Sequence, residues 1–490
     1  MFGMDWDMVM QGLYDRRPAV RWLTLAGLMV AVALPIGAVL GLLGPMYGSA
    51  ALLALAAAVF MLRSMMLGLV VLISIITLLP FAAVPIDIGF SPTFLDLTLF
   101  PLFFVWISRI VTHKEPSFMA DSPMLGMVTF AALCVASFVA GLAHSSLTAN
   151  VVRHFGEIIL SILVFMLVTN TVREEAQLRL LVAVVILAGG IAALIGVVLY
   201  FMPELMTIRI LSLLRVVRYP SGSQVLRYIE DNPDLSLRAT STSVDPNVLG
   251  GMLIFVGGYC APQLFAKEPV LPRKVLWPLF GAISLCLILT YSRSSFLGLA
   301  VALFLLAMLR YPKILLIGLF VLVGLYFFPP AQVYVERFVE GFLGQDLATQ
   351  MRFGEYRDAI TLISRYPWFG VGFAGTPDID TYIGVSNVYL LIAEETGFLG
   401  LGAFVVTLIV FVSRFLRLAQ VSVRMPDLDP LLLGPCLAVC GGMVAGFLDH
   451  YLFNLVFPHA SGLLWLTIGL GAVSMRFVEQ RAKQGVRTMV

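Results

Sequence analysis

Residues 181–202 read LVAVVILAGGIAALIGVVLYFM, a stretch without a single charged side chain. An α-helix needs about 20 apolar residues to cross the ~30 Å hydrocarbon core of a bilayer. Runs of this kind recur along nearly the whole chain, which is 60% hydrophobic and only 12% charged. The sequence therefore predicts an all-α, polytopic integral membrane bundle and excludes a soluble protein.

We expect a single integral domain, residues 1–490, with about fourteen transmembrane helices. Their approximate bounds are 22–44, 45–62, 64–82, 94–108, 122–143, 155–171, 181–202, 247–266, 275–292, 295–310, 314–329, 397–413, 430–448 and 460–475. The termini and alternate short connections are basic, which the positive-inside rule places in the cytoplasm. The expected topology has both termini cytoplasmic and two long outward-facing loops, about 203–246 and 330–396.

The first twenty residues carry several charges and lack a small-residue cleavage site, so they predict no cleavable signal peptide. An odd, scattered set of cysteines within apolar runs predicts packing rather than disulfides or a metal site. These are Cys134, Cys260, Cys286, Cys436 and Cys440. The net charge of +2 says little about partners, and no part of the chain resembles a nucleic-acid-binding face.

The expected outward segments carry eleven arginines and no lysine, whereas all five lysines of the chain fall on the other side. Arginine pairs bidentately with phosphate and keeps its charge, so these segments predict a diphosphate-bearing ligand. Arg215 and Arg218 lie in a mixed apolar and basic run, 208–218, which we expect to form a helix or ribbon on the outer bilayer surface. Simple attraction to anionic lipid is the alternative for this run.

Two polar segments border predicted spans. RATSTSVDPN (238–247) ends the first long loop, with Asp245 as a plausible N-cap and Pro246 in the first helical turn. It either binds ligand through Arg238 and Asn247 or simply starts a helix. The connection YSRSS (291–295) is so short that Arg293 lies at or just below the outer surface. Intramembrane charge indicates function by default, with snorkelling to headgroups as the alternative.

Two further segments lie in the second long loop. RFGEYRDAI (352–360) carries Arg352 and Arg357 at helical charge spacing, so it either binds ligand or forms surface salt bridges with itself. RYPWFGVG (365–372) places Trp368 in a proline–glycine turn, where an aromatic ring can enter the membrane interface or stack on a sugar ring.

A last polar segment, SNVYLLIAEETGFLG (386–400), precedes a predicted span. Its carboxylates, Glu394 and Glu395, lie near the membrane, where they can pair with arginines or accept a proton from a hydroxyl. Where histidines are concerned, the pair Asp449–His450 is the one that we single out for mutation.

Together and in this order, the segments resemble the O-antigen ligase and polymerase superfamily. The resemblance covers about 238–415 and rests on Tyr-Ser-Arg-Ser-Ser, on Arg…Arg-Asp-Ala before Pro-Trp-Phe-Gly-Val-Gly, and on Asn before Glu-Glu-Thr-Gly-Phe-Leu-Gly. It implies a GT-C-like helical glycosyltransferase of the bacterial inner membrane. Such enzymes pass a glycan from undecaprenyl diphosphate to an acceptor on the outer face, without a metal ion.

By resemblance, Arg293 and one of Arg352 or Arg357 hold the diphosphate, and Asn387 lies in the acceptor pocket. One position departs from the family, because its ligases usually have a histidine where this chain has Ser386. Serine cannot act as a base near neutral pH as histidine can. This departure favours a polymerase, or a ligase with an unusual acceptor. Candidates for the missing base are Glu394, Glu395, Asp378, Asp380 and His450.

The alternative from another class is a lipid-linked oligosaccharide flippase, which many spans and a cationic cavity would also suit. Transporters commonly show repeated halves, and the sequence shows none. We therefore predict a metal-independent, inverting glycosyltransferase without a cofactor, acting on a glycan, lipid or protein hydroxyl among membrane lipids. The predicted catalytic residues are Arg293, Arg352, Arg357, Glu394 and Glu395; the predicted substrate-binding residues are Arg215, Arg218, Arg238, Asn247, Ser386, Asn387, Tyr389 and Trp368.

Overall fold

The apolar runs form helices wherever the chain is described. The computed structural model describes residues 64–85, 89–112, 118–144, 147–316, 318, 327, 347–375 and 384–487. The helices of these residues are α1 (Met65–Leu78), α2 (Asp96–Val111), α3 (Met124–Gly141), α4 (Ala149–Thr171), α5 (Glu175–Phe201), α6 (Glu204–Leu213), α7 (Pro246–Phe265), α8 (Arg273–Leu289), α9 (Arg293–Leu309), α10 (Leu347–Arg365), α11 (Val388–Ser422), α12 (Asp429–Ala445) and α13 (Pro458–Arg487).

The connection between α6 and α7 contains the strands of the described structure. β1 (Arg227–Tyr228) and β2 (Leu237–Arg238) pair antiparallel, with Arg227 opposite Arg238. Single 3-10 turns occupy Leu214–Val217, Gly222–Val225, Ile229–Asp231 and Tyr451–Phe453. The first long loop is therefore a small ordered region rather than an extended linker.

The predicted spans agree with the helices in the part of the chain that can be compared. Eleven of the predicted spans coincide with α1 to α5, α7 to α9 and α11 to α13. Predicted spans 22–44 and 45–62, most of 314–329, and both Asp378 and Asp380 lie outside the described residues. Six described helices are long and apolar enough to cross a membrane, namely α3, α4, α5, α7, α11 and α13. The polytopic helical bundle is confirmed, and the count of about fourteen spans stays a prediction.

The centre of the bundle is formed by α7 and α13. The apolar stretch of α13 is 100% buried and that of α7 is 94% buried, compared with 39% for α11. α7 packs against α8, α9 and α12, while α13 packs against α4, α11 and α12. A helix that is apolar on all sides belongs in the centre of a bundle. The outer helices expose large apolar side chains, such as Leu125 and Val198, as lipid contact requires.

One end of the bundle is tied by buried ion pairs. Asp121, just before α3, pairs with Arg476 of α13 at 3.1 Å and with Arg414 of α11 at 3.4 Å. Arg414 also pairs with Glu479 at 2.9 Å. Buried charges of opposite sign compensate one another where water is excluded. We call this end the ion-pair end.

The opposite end of the bundle carries the polar motifs. α9, α11 and α13 each begin there and run toward the ion-pair end. We call it the site end and define it by residues 238–247, 290–295, 386–387 and 446–459.

Candidate functional site

Arg238 holds the end of the first long loop to the turn between α8 and α9. Its Nε donates to the Thr290 carbonyl at 2.8 Å, and its Nη2 donates to Asn247 Oδ1 at 2.7 Å. Asp245 caps α7, because its carboxylate accepts from the N–H groups of Asn247 and Val248. The predicted helix start is confirmed, and the structure also brings Arg238 and Asn247 together.

Three residues of the site end adopt left-handed backbone torsions. Ser241, Val244 and Tyr291 have φ of 51°, 60° and 54°. For a β-branched residue such as Val244 this is a genuine outlier. Strain of this kind costs about 1–3 kcal/mol for each residue and concentrates at functional sites. It therefore marks the segments 238–247 and 290–295 as more than connections.

Asp449, in the connection between α12 and α13, is a buried carboxylate in the same region. Only 6% of the residue is exposed. Its Oδ2 accepts from the Ser294 hydroxyl at 3.4 Å, and its Oδ1 accepts from the N–H of His450 at 2.9 Å. Burial raises the pKa of Asp449 above its ordinary value, and the charges of His450 and Arg352 partly offset that rise. The site end thus contains a carboxylate suited to accepting a proton.

Arg293 begins α9 and is half-buried. Burial lowers the pKa of the nearby Arg238 guanidinium, the charges of Asp245 and Asp449 act in the opposite direction, and the charge of Arg293 lowers it further. Two guanidinium groups and the Asp449 carboxylate therefore share one poorly hydrated region. Electrostatic interactions in such a region are stronger than in water.

α10 brings a third arginine to this region. Its Glu355 carboxylate accepts from the N–H of Ser386 at 2.9 Å, which binds the helix to the start of α11. Arg352 is half-buried, and its charge acts on Asp449. Arg357 is exposed. Of the two arginines that the sequence left open, Arg352 is therefore the one that is partly buried and whose charge acts on Asp449.

Asn387 and Tyr389 have structural hydrogen bonds at the start of α11. Asn387 caps the helix, since its Oδ1 accepts from the N–H groups of Tyr389 and Leu390 at 2.9 and 3.0 Å. Its Nδ2 donates to the Phe447 carbonyl at 3.0 Å, and the Tyr389 hydroxyl donates to the Met443 carbonyl at 2.9 Å. Both residues thus bind α11 to the end of α12, beside the candidate site.

Glu394 and Glu395 lie in the short first part of α11, directly before its break at Gly397 and the longer helical part that follows. Both are buried, and neither carboxylate oxygen of Glu394 has a hydrogen-bond partner among the described residues. The backbone carbonyls of the pair accept from the N–H groups of Val371 and Gly372 at 2.8 and 3.0 Å. The backbone of this motif therefore holds the proline–glycine turn in place.

Three predicted substrate-binding side chains are exposed. Trp368 is 65% exposed on the proline–glycine turn. Arg215 lies in the 3-10 turn after α6, and Arg218 Nη1 donates to Ser91 Oγ at 2.6 Å on the connection between α1 and α2. The predicted helix in 208–218 is α6 with this 3-10 turn, whereas its position on a bilayer surface stays a prediction.

Some residues at the site end could hardly be identified from the sequence. Asp449 was notable only in its pair with His450, and Ser294 only as part of the motif YSRSS. Thr290 and His459 had no motif to mark them. Their partners lie far away in the chain, as with Ser294 and Asp449. The five cysteines make no disulfide, and four of them are fully buried, as expected for packing residues. Within the described ranges no group of three His, Cys, Asp or Glu side chains could hold a metal ion.

Comparison with known proteins supports the resemblance drawn from the motifs. A family model described as O-antigen ligase matches residues 278–405, about a quarter of the chain. The match includes Arg293, Arg352 and Asn387, whereas Arg238 and Asp449 lie outside it. A search of curated proteins found no match. The O-antigen ligase and polymerase superfamily is thereby confirmed for this segment of the chain.

Proposed function

We propose that this protein is a membrane glycosyltransferase of the O-antigen polymerase or ligase type. It takes a glycan from undecaprenyl diphosphate and passes it to a hydroxyl of a glycan, lipid or protein acceptor. The observation that carries the proposal is that the site end brings Arg238, Arg293 and the buried carboxylate of Asp449 together, through the hydrogen bond of Arg238 to the turn between α8 and α9 and that of Ser294 to Asp449. The charge of Arg352 on α10 also acts on Asp449.

The three arginines supply the positive charge that a diphosphate leaving group needs. As the anomeric carbon–oxygen bond breaks, its electron pair moves onto the diphosphate. Guanidinium groups held in place before the reaction stabilise that developing charge. The Arg238 guanidinium is held by Thr290 and Asn247, and Arg293 is the first residue of α9. The scheme needs no divalent metal, because fixed guanidinium charges do this work.

Asp449 is the group that we place as general base. It takes the proton of the acceptor hydroxyl while that oxygen attacks the anomeric carbon from the face opposite the diphosphate, which inverts the configuration. Asp449 would then act as the base in place of the histidine that ligases of the family usually have at the position of Ser386. Glu394 and Glu395 are less favoured for it, since both are buried within α11 and their backbones hold the proline–glycine turn.

We place the site end at the outer face of the bacterial inner membrane and both termini in the cytoplasm. The basic connections of the described chain gather at the ion-pair end, with Arg173 and Arg179, Lys267 to Lys274, and Arg414 to Arg424. The positive-inside rule assigns that end to the cytoplasm. With this orientation the enzyme would use lipid-linked glycans at the outer face of the membrane, on the side where glycans of the cell surface are assembled.

The test uses purified protein with undecaprenyl-diphosphate-linked oligosaccharide as the sole sugar substrate and a chelator in the buffer. A ladder of longer lipid-linked glycans would support a polymerase. Release of lipid diphosphate only after a separate acceptor is added would support a ligase. If neither occurs, the glycosyltransferase proposal is wrong, and glycan movement across vesicles would be measured next, as the flippase alternative requires.

A further inference from the structure

The proline–glycine turn after α10 is held by backbone contacts on two sides. Val371 and Gly372 donate N–H bonds to α11, and Phe398 of α11 donates to a carbonyl of the turn at 2.7 Å. On the other side, a Cβ at Gly141, the last residue of α3, would lie 2.8 Å from the carbonyl oxygen of Val371. The turn therefore lies in close contact with the end of α3 and with the break in α11, and its backbone is fixed there.

This fixed backbone presents exposed apolar side chains. Trp368 and Phe369 of the turn are 65% and 45% exposed. Phe398 and Leu399, directly after the break in α11, are 53% and 40% exposed. The two segments meet at Gly397, where a Cβ would lie 2.3 Å from the carbonyl carbon of Trp368. We call Trp368, Phe369, Phe398 and Leu399 the apolar patch. An exposed patch of large apolar side chains marks a surface that contacts lipid, ligand or protein.

The apolar patch continues the lipid-facing surfaces of two helices. In α11, residues 391–397 are buried, whereas exposed apolar side chains recur after the break, as at Val406 and Ile409. In α3, exposed side chains such as Val135 and Val139 continue to the end of the helix beside the turn. Spacings of three and four residues place each set on one helix face. The patch therefore lies where both lipid-facing surfaces reach the site side of the bundle.

Helix lengths give the depth of the patch. The 16 residues from Phe398 to Arg414 of the ion-pair end rise about 24 Å. The 18 residues of α3, which begins beside the ion-pair end, rise about 27 Å. α9 has 17 residues, which place its first residue, Arg293, about 25 Å from its other end. Because the hydrocarbon core is ~30 Å thick, the patch and Arg293 both lie near the edge of that core.

α10 joins the apolar patch to the candidate site. Its Glu355 carboxylate binds the N–H of Ser386 at the site end, and its last residue leads into the turn about 15 Å farther along. Phe353 and Ile360 are each 60% exposed, and their spacing of seven residues places them on one face. Arg357 lies between them, and the stem of an arginine side chain is itself apolar. An exposed, largely apolar surface thus extends along α10 from the site end to the patch.

We propose that the apolar patch, together with Phe353 and Ile360, binds the polyprenyl chain of the lipid-linked donor. This inference rests on the proposed glycosyl transfer and assigns a subsite to the apolar part of that substrate. With the diphosphate at the arginines of the site end, the chain has to pass from there into hydrocarbon. The surface along α10 keeps the chain out of water on this path, which apolar burial favours. Trp368 is thereby assigned to the lipid chain of the donor.

The test compares two donors that carry the same oligosaccharide, one on undecaprenyl diphosphate and one on a diphosphate with two isoprene units. Release of the prenyl diphosphate at a fixed detergent concentration gives kcat and KM for each donor. We expect Trp368→Ala to raise the KM of the long-chain donor by about tenfold or more, because a large apolar side chain no longer covers the chain. The kcat for this donor should not change, since the patch touches no reacting atom. Trp368→Phe should restore most of the loss.

For the short-chain donor, Trp368→Ala should leave both kcat and KM at the wild-type values. The same contrast is expected for inhibition by undecaprenyl diphosphate and by the two-isoprene diphosphate without a glycan. The comparison therefore does not depend on turnover of the short donor. Because Trp368 is largely exposed, the variant should also keep the melting temperature of the wild type.

The matched control is Trp277→Ala, which removes an indole ring that is 51% exposed near the start of α8, beside the basic connection at the ion-pair end. It should leave every constant unchanged. Equal increases in KM for the two donors after Trp368→Ala would place Trp368 on the glycan, and unchanged constants would assign the patch to bulk lipid. Either result overturns the proposal. A wild-type enzyme that consumes neither donor refutes the glycosyltransferase itself, and is recognised before any variant is made.

Discussion

Arg352 and Arg357 lie about 140° apart around α10, and the structure gives them different surroundings. Arg352 is half-buried and acts on Asp449, whereas Arg357 is exposed. We expect Arg352→Ala to slow donor consumption by about 10²–10³-fold, as loss of a fixed charge at a leaving group does. Arg357→Ala should lose less. Rates are measured as release of lipid diphosphate, with exposed Arg209→Ala as the unchanged control; equal losses at 352 and 357 would contradict the assignment.

Asp449 is a second single residue with a testable effect, because it bears on both the activity and the stability of the protein. Burial raises its pKa above the ordinary value near 4. The folded protein then holds this proton to higher pH than the unfolded chain, so its contribution to stability grows as pH falls through the folded pKa. At neutral pH the buried, ionised carboxylate therefore lowers the free energy of unfolding.

Asp449→Asn should therefore separate the two properties. Its side-chain oxygen can still accept from His450, and the amide carries no charge to bury. We expect turnover to fall by about 10²–10⁴-fold and the apparent melting temperature at neutral pH to equal or exceed that of wild type. The difference in melting temperature should shrink in acid. A variant that keeps its activity would remove Asp449 from the mechanism.

At the scale of an element, the break in α11 depends on a single glycine. Gly397 has φ 68° and ψ −174°, and a Cβ there would lie 2.3 Å from the carbonyl carbon and oxygen of Trp368. Gly397→Ala meets both left-handed backbone strain and a backbone clash. We expect it to destabilise the fold by about 2–5 kcal/mol, measured as a fall in apparent melting temperature.

Gly402, in the same helix, is the matched control. A Cβ there meets nothing within 4 Å, and alanine favours a helix by about 1 kcal/mol over glycine. Gly402→Ala should keep or raise the melting temperature. Similar melting temperatures for Gly397→Ala and Gly402→Ala would show that contact with the proline–glycine turn does not require a glycine at the break in α11.

At the scale of the whole molecule, the ion-pair end joins helices from distant parts of the chain. Asp121 lies between Arg414 and Arg476 and is 8% exposed. Asp121→Asn leaves both guanidinium groups short of a buried counter-charge, which costs about 3–5 kcal/mol. Asp427→Asn alters a half-exposed pair with Arg481, and such pairs contribute about 0–1 kcal/mol. The stabilities of the two variants are compared by thermal unfolding. Equal losses of stability would contradict the proposal that Asp121 holds these helices together.

The helices could be read from the sequence because a bilayer leaves the backbone few choices. Polar backbone groups in hydrocarbon must be satisfied within the segment, so an apolar run of about 20 residues becomes a helix. The start of α7 could also be predicted from neighbouring residues, since Asp245 caps the helix and Pro246 occupies its first turn. The arginine bias of the outward segments and the family motifs in 278–405 likewise indicated the class of chemistry from residue types alone.

Which of those residues meet was decided by the tertiary structure. Ser294 and Asp449 are 155 positions apart, and they approach only because α9 and α12 pack beside α7. The packing of α10 against α11 leaves Arg352 half-buried and Arg357 exposed. The backbone carbonyls of Glu394 and Glu395 accept from N–H groups of the proline–glycine turn. Residue type and spacing determine whether a segment spans a membrane. The direction and surroundings of a side chain depend on helices that meet across the whole chain, and no local pattern encodes that.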